Sequence, residues 1–495
     1  MKHFVIIIVI LLGTQLAAFS QWMPPNSPTM AYTWKSEGDL CDYLFLGIVG
    51  SFSPPPARPT NLILDRKGDI VWYQQSAYSS FDFKIHPGGQ MSFYYRDQWY
   101  LLDSTFAVSD TLACLGYTTD LHDLLLTEDG HAHLICIDDT TMDLSGINTR
   151  DGMPGDPAGT VRYHLVQELD ATRNVVREWH AIDHFDLEDH DTTFFIDPER
   201  LQLNHTNSIS LDQWGNMLIS HRYNHELTYI NWASGEIIWR LGGANNQFTF
   251  VNDIGLNSQH FGQIMPNGQV SVYDNGNYHD PRRARGIVYT LDTVAMTATK
   301  AWEFANPDII SSALGSFQVL PNGDRLVNFG TYSPHVDPNV VYLRSDSTVV
   351  LEIKFEDLYW TYRAQCLPIP FVLERPRIEC TEQNGQLILS ADTIYGDYRW
   401  TTGATTASIA VTDTGRYQLF VPRGLGMMGS ETVIVRDLNQ TCRAVSTPEP
   451  QANRPREPKL LRTLDLQGRT VRYPVPGRLY IELYDNGQTR KVIRR

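Results

Sequence analysis

The chain has 495 residues, of which 42% are hydrophobic, 11% aromatic and only 19% charged. That length supports several domains and at least one large core, and the composition excludes disorder along most of the chain. A net charge of −16 excludes an electrostatic footprint for nucleic acid, although residues 454–495 are locally basic, with 11 basic and 4 acidic side chains.

Residues 1–20, MKHFVIIIVILLGTQLAAFS, combine a basic Lys2, an apolar run and the small residues Ala18 and Ser20 ahead of Gln21. This is the pattern of a secretory signal peptide, and its apolar run falls well short of the roughly 20 residues that span a bilayer. No later segment reaches that length, so the expectation is an exported chain without a transmembrane segment. The six cysteines (Cys41, Cys114, Cys136, Cys366, Cys380 and Cys442) include no CxxC. In an oxidising compartment they favour disulfides over zinc or redox motifs.

Two hairpin patterns then alternate along the chain. One is a pair of apolar strands, often closing on Trp, at 61–73, 99–112, 164–179, 227–239, 287–302 and 341–353. The other carries Gly in its turn, at 81–95, 122–135, 205–220, 260–273 and 317–329, where Gly supplies the positive φ that a tight hairpin turn demands. Four strands repeated six times, at roughly 50 residues per repeat, predict an all-β chain whose residues 42–366 form a six-bladed β-propeller. The sixth Gly-type hairpin is missing. Its place is expected to be taken by the strand at 361–364 with the N-terminal strand at 42–48, bringing Cys41 near Cys366 and leaving Cys114 and Cys136 on neighbouring strands.

Beyond the ring, residues 375–442 read as a small Ig-like β-sandwich around Trp400, bracketed by Cys380 and Cys442. The segment GLGMMG at 424–429 matches GxGxxG but lies between strands rather than opening a helix, so it reads as a loop and not as a dinucleotide site. A Pro-rich linker at 446–459 precedes a short β segment at 460–495.

In a propeller the innermost strands face a central channel, and ligands bind at one of its mouths. Three Gly-type hairpins begin with histidine, at His122, His205 and His260, so these imidazoles are expected to converge. Asn207 lies on the strand face of His205, and Arg222 follows the returning strand. Three histidines suit zinc. With Arg and Asn beside them they better suit a tetrahedral oxyanion, such as a sulfuryl or phosphoryl group. The stretch DHFDLEDHD at 183–191 is a solvated insertion, with a metal loop as its alternative reading. No GxSxG supports serine hydrolysis.

The motifs DLHD (120–123), NHTNSI (204–209), SHR (220–222), GEIIWRLGG (235–243), SQH (258–260), MPNGQVSVYDNG (265–276), RARGIVYTLD (283–292) and GSFQVLPNGDRLVNFG (315–330) together resemble the bacterial arylsulfotransferases, six-bladed propellers, over roughly 43–364. That resemblance implies transfer of a sulfuryl group from an aryl sulfate donor to a phenolic acceptor. His260 would be the nucleophile, carrying a sulfohistidine. Arg222 and Asn207 would hold sulfuryl oxygens, and His122 or His205 would act as acid and base. No cofactor, metal or nucleotide donor is implied. Two departures stand out: Phe261, where the family commonly has Asp after the histidine, and a short segment before Asp42 in place of a larger N-terminal sandwich. The last 35 or so residues resemble the C-terminal sorting domain of the type IX secretion system of Bacteroidota, in DLxGRxV near 465–471, PGxxYI at 476–481 and the terminal KVI at 491–493. This implies type IX machinery as a partner, passage across the outer membrane and a secreted or surface location. The competing expectation is a non-catalytic binding module for glycans or surface ligands on the same fold, followed by a metal-dependent hydrolase or lyase.

Overall fold

A computed structural model describes residues 18–50, 58–332, 338–355, 359–438, 442, 460–464, 479–484 and 489–493. All but the last three residues of the expected signal peptide, and the whole of the linker at 446–459, lie outside the described residues. Within them the elements are strands, accompanied by short 3-10 turns at Ala181–Asp183, Leu187–Asp189 and Thr192–Phe194.

All eleven hairpins read from the sequence are present. Phe81–Ile85, Met91–Tyr95, Gln98–Leu102 and Val108–Leu112 form an antiparallel meander. The same order recurs in sheets that open on Thr118–Leu126, Thr206–Leu211, His260–Ile264 and Ser316–Val319. A further sheet joins the two ends of the region. There Tyr359–Cys366 pairs with Tyr43–Gly50, Leu44 facing Cys366 and Leu46 facing Ala364, and the sheet continues through Thr60–Asp65 to Ile70–Gln75. The Cys41–Cys366 disulfide closes this seam as expected, and Cys114–Cys136 and Cys380–Cys442 are also bonded. The first strands of these six sheets neighbour one another in a closed cycle, from Tyr359–Cys366 through Phe81–Ile85, Thr118–Leu126, Thr206–Leu211 and His260–Ile264 to Ser316–Val319 and back.

Apolar side chains fill the spaces between adjacent sheets. Trp72, Trp179 and Trp239, which close outer hairpins, are buried there, since rings of this size contribute most by leaving water. The segment before Asp42 is no separate unit. Met30–Trp34 adds to the edge of the last sheet by pairing with Val349–Phe355, and Ala18–Gln21 pairs outside it.

In the C-terminal region Ile378–Gln383, Gln386–Ala391 and Ser408–Ala410 form one sheet, while Gly415–Tyr417 pairs with Val433–Val435. Trp400 is buried among Leu389, Leu419, Val421 and Val433, the core position expected for it. The GLGMMG segment departs from its reading as a loop: Gly426–Gly429 is a strand, paired with Leu419–Arg423 on one side and Ile70–Gln75 on the other. Glycine is what lets the chains approach, because a Cβ at Gly426 would sit 2.1 Å from the carbonyl oxygen of Tyr73. Leu460–Leu464, Leu479–Tyr484 and Thr489–Ile493 form a three-stranded antiparallel sheet.

Candidate functional site

Each expected histidine sits where a first strand leaves regular pairing. Register shifts fall between Thr119 and Leu124, Thr206 and Ser208, and His260 and Gln263. His205 and Phe261 hold positive φ values of 48° and 51°. Such irregularities re-aim side chains off the ladder, and non-glycine residues tolerate that backbone only where the surroundings enforce it. The structure brings His122 and His205 together, with ring centroids 4.8 Å apart. His164, which the repeat pattern did not single out because it lies on the third strand of its sheet, is 5.9 Å from His205 and 6.5 Å from His122.

Asp120 organises His122. Its Oδ1 lies 2.6 Å from His122 Nδ1 and accepts the His122 backbone N–H at 2.8 Å, and its Oδ2 lies 3.4 Å from His164 Nε2. Burial disfavours the ionised carboxylate, but the imidazoles of His122 and His164 outweigh it and hold Asp120 well below the usual carboxylate range.

His260 is buried, with Nδ1 2.7 Å from Asn275 Oδ1 and Nε2 3.3 Å from the backbone nitrogen of Leu314. Burial, then the Arg222 guanidinium, push its pKa far below the ordinary histidine value, with His122 and Arg363 adding to the effect. The ring is therefore neutral near pH 7. His205, stacked on Tyr223 at 4.6 Å, is driven the same way by burial, His122 and Arg222.

Arg222 is nearly buried. Its guanidinium carbon lies 4.9 Å from the Phe194 ring centre and 5.2 Å from that of Tyr223, and an Nη donates to the Ser312 carbonyl at 2.9 Å. Its buried Nε–H has no acceptor among the described residues, and none of their carboxylates forms an ion pair with it. A buried cation without an anionic partner is costly unless a ligand supplies the charge. Asn207 is buried at the same place: its side-chain nitrogen donates to the Gln259 carbonyl at 2.7 Å, tying two strand starts together just before His260, while its Oδ1 has no partner among the described residues.

Beside the histidines lies an ion cluster that the repeats did not signal. Arg363 Nη1 donates to Asp82 Oδ1 at 2.9 Å and lies 3.1 Å from Asp123 Oδ1, and Nη2 donates to the Asn207 carbonyl at 2.7 Å. Lys84 pairs with the same two carboxylates, and the Phe261 ring centre is 4.7 Å from the Arg363 guanidinium carbon. The only hint in the sequence was an arginine on the short closing strand.

The acidic stretch at 183–191 folds as a packed insertion. Asp191 Oδ2 lies 2.7 Å from His225 Nε2, His190 Nδ1 lies 3.2 Å from the Leu203 carbonyl, and Arg240 holds the His184 carbonyl at 2.5 Å. It delivers Phe194 to the face of Tyr223, at 4.0 Å. Among the described residues no three His, Cys, Asp or Glu side chains gather as metal ligands would.

The site thus joins bulged strand starts, neighbouring imidazoles and a buried guanidinium without a carboxylate partner among the described residues. The description Arylsulfotransferase (ASST) matches residues 94–356, more than half of the chain, and the protein belongs to that family. No curated protein matches it. Among solved structures, it is similar to a protein of unknown function from Bacteroides caccae at 13% identity and TM-score 0.40, covering 66% of this chain and 98% of that one. It is also similar to catalytically inactive virginiamycin B lyase from Staphylococcus aureus at 9% identity and TM-score 0.35, covering 73% and 96%. Apo AztD from Citrobacter koseri is similar at 7% identity and TM-score 0.32, covering 66% and 98%.

Proposed function

We propose that this protein moves a sulfuryl group from an aryl sulfate to a phenol through a sulfohistidine on His260, on a six-bladed β-propeller. The closed cycle of six first strands supports the propeller, and family membership supports the reaction class. The observation that carries the site is Arg222, a buried guanidinium with an orphaned Nε–H that depresses the pKa of both His205 and His260. A sulfuryl group placed there gives the guanidinium its missing anion and presents sulfur to a neutral imidazole.

In the first half-reaction the Nε2 lone pair of His260 attacks sulfur, an N–S bond forms and the bond from sulfur to the aryl oxygen breaks. The departing phenolate takes a proton from His122. Of the two acid-base candidates His122 is favoured, because the Asp120 carboxylate 2.6 Å from its Nδ1 orients the ring as the third group of a catalytic set does. In the second half-reaction His122 takes the acceptor's phenolic proton, the phenol oxygen attacks sulfur, and the N–S bond breaks. A phenol ionises near pH 10, so removing its proton during attack matters at neutral pH. Arg222 binds the sulfuryl oxygens throughout.

The reading extends to location. Residues 1–20 direct export and 460–495 act as a type IX sorting domain, with an Ig-like module at 375–442 between ring and tail, so the mature protein is secreted or surface-held. Expression with and without the tail, followed by the mass of the released protein, tests this part.

The experiment for the reaction incubates purified protein with 4-nitrophenyl sulfate, with and without a phenol acceptor and with chelator present. Nitrophenol release that depends on acceptor and survives chelation is expected. Mass spectrometry of the acid-sensitive intermediate should place one sulfuryl group on His260, absent from His260→Asn. No turnover of any aryl sulfate would sink the proposal and leave a binding module in its place.

A further inference from the structure

We infer that Asn275 is a positioning residue that fixes His260 in one neutral tautomer, with the proton on Nδ1 and the lone pair on Nε2. The inference rests on the reading of His260 as sulfuryl carrier and names the device that makes it a nucleophile.

Hydrogen-bond chemistry settles which way the Asn275 amide faces. Its Nδ2 lies 3.1 Å from the Leu314 carbonyl, 3.4 Å from the Ser311 carbonyl and 3.1 Å from Ser311 Oγ. Carbonyls only accept, so the NH2 end must face them and the oxygen must face His260. Oδ1 in turn only accepts, so the nitrogen 2.7 Å from it, His260 Nδ1, carries the proton. A second constraint acts at the other end of the ring. The Leu314 amide can only donate, and it lies 3.3 Å from Nε2, which must therefore present its lone pair. One short segment, Ser311–Leu314, both anchors the Asn275 amide and supplies the Leu314 N–H, so the tautomer is clamped from both sides. Leu314 itself holds a φ of 61° and Gly315 follows at 102°, a backbone that aims the Leu314 N–H inward. When Nε2 spends its lone pair on sulfur, the same N–H is left facing the sulfuryl group and can turn to one of its oxygens.

The choice of an amide rather than a carboxylate is what separates this histidine from His122. His122 Nδ1 faces a carboxylate oxygen of Asp120, which carries a full negative charge. Asn275 orients His260 with a neutral acceptor: its hydrogen bond pulls the ring's pKa upward, but burial and the Arg222 guanidinium outweigh it and keep the nucleophile unprotonated.

The test uses the full chain. Nitrogen-15 NMR of histidine-labelled protein should show His260 with a protonated Nδ1 and a bare Nε2, and this single tautomer should be lost in Asn275→Ala. Turnover of 4-nitrophenyl sulfate by Asn275→Ala should fall roughly ten- to hundredfold, the range seen when the group orienting a functional histidine is removed. In the near-isosteric Asn275→Asp, the added charge should move the acid limb of the kcat/KM profile upward by about one pH unit or more, with activity recovering as pH rises. A merely structural role would lower activity at every pH and leave the limb in place. A wild-type ring protonated on Nε2, or an unmoved limb in Asn275→Asp, overturns the inference. Absence of sulfuryl transfer in the wild type would instead overturn the function reading, because the NMR tautomer decides the role of Asn275 without turnover.

Discussion

Phe261 follows His260 directly and holds its ring against Arg363, whose charge, with that of Lys84, is already matched by Asp82 and Asp123. Two cations face two carboxylates, and an apolar ring beside such a balanced set adds no charge to be compensated. Phe261→Asp should therefore introduce a buried carboxylate without a partner. A loss of about 3 kcal/mol or more is expected, from the unpaired charge and the lost ring packing together. The deficit should be smaller at pH 5 than at pH 8, because burial raises the new carboxyl's pKa and protonation removes the penalty. Denaturant unfolding at the two pH values checks this, and an unchanged stability would mean that the cluster tolerates a third acid. The same neighbourhood shows what one sequence can reveal of a site. His122, His205 and His260 were legible because repetition placed them at equivalent ends of equivalent hairpins, and Arg222 because it leaves a strand of the same set. Asp120 and Asn275 were inside quoted motifs, but nothing in their spacing said which ring each would hold. The cluster that Arg363 and Lys84 form was not legible: Asp82 lies on the strand of Lys84, but Asp123 and Arg363 come from strands far away in the chain, and only the closed cycle brings the four together.

Hairpins are local, which is why all eleven could be read from alternating apolar runs and turn glycines. Docking between distant segments leaves no such pattern. The strand Gly426–Gly429 docks on Ile70–Gln75, more than 340 residues earlier, and its glycines resemble a phosphate loop only in spacing. Gly424 has a φ of 58° and a Cβ there would lie 2.0 Å from the Phe106 carbonyl oxygen, while one at Gly426 would also meet the Trp72 ring at 2.7 Å. The carbonyls of Phe106 and Tyr73 are backbone and the Trp72 ring is fully buried, so none can yield and a side chain must break the pairing. Gly426→Val should detach the C-terminal region from the Ile70–Gln75 edge while leaving the first strands and their histidines in place. Limited proteolysis is expected to cut the variant faster between residues 367 and 377, where Leu367 and Ile369 pack against this corner, with turnover of 4-nitrophenyl sulfate reduced by less than about threefold. Cleavage no faster than in the wild type would show that the strand is not what holds the two regions together.

Across the whole molecule, burial of histidine sets how stability responds to pH. His86, His133, His184, His190, His205, His221 and His260 all have lowered pKa values with burial as the leading cause, His133 and His190 falling to about 4. Below about pH 6.5 an unfolded chain protonates these residues while the folded one does not, so each contributes stability above that pH and loses it as pH falls, by about 1.4 kcal/mol per unit. Three acids work the other way. Burial raises Glu226 to about 7, Asp65 to about 6, and Asp82 by an amount its cations Arg363 and Lys84 reduce. Each of these takes up a proton in the folded state first and so gains stability as pH drops. Asp120, held low, matters only below about pH 4. Seven protons against three leave at most about four in favour of the unfolded state, or up to about 5 kcal/mol per pH unit in the steepest stretch. Against a total stability of about 5–15 kcal/mol, that is enough to unfold the protein within two or three units. Thermal unfolding at constant ionic strength should therefore show a Tm that is flat from pH 8 to 7 and falls steeply from 6.5 to 5. His221→Gln, which removes one titrating ring whose Nε2 has no partner among the described residues, should lower that slope by about 1.4 kcal/mol per unit; a Tm that rises on acidification would mean the raised carboxyls outweigh the imidazoles.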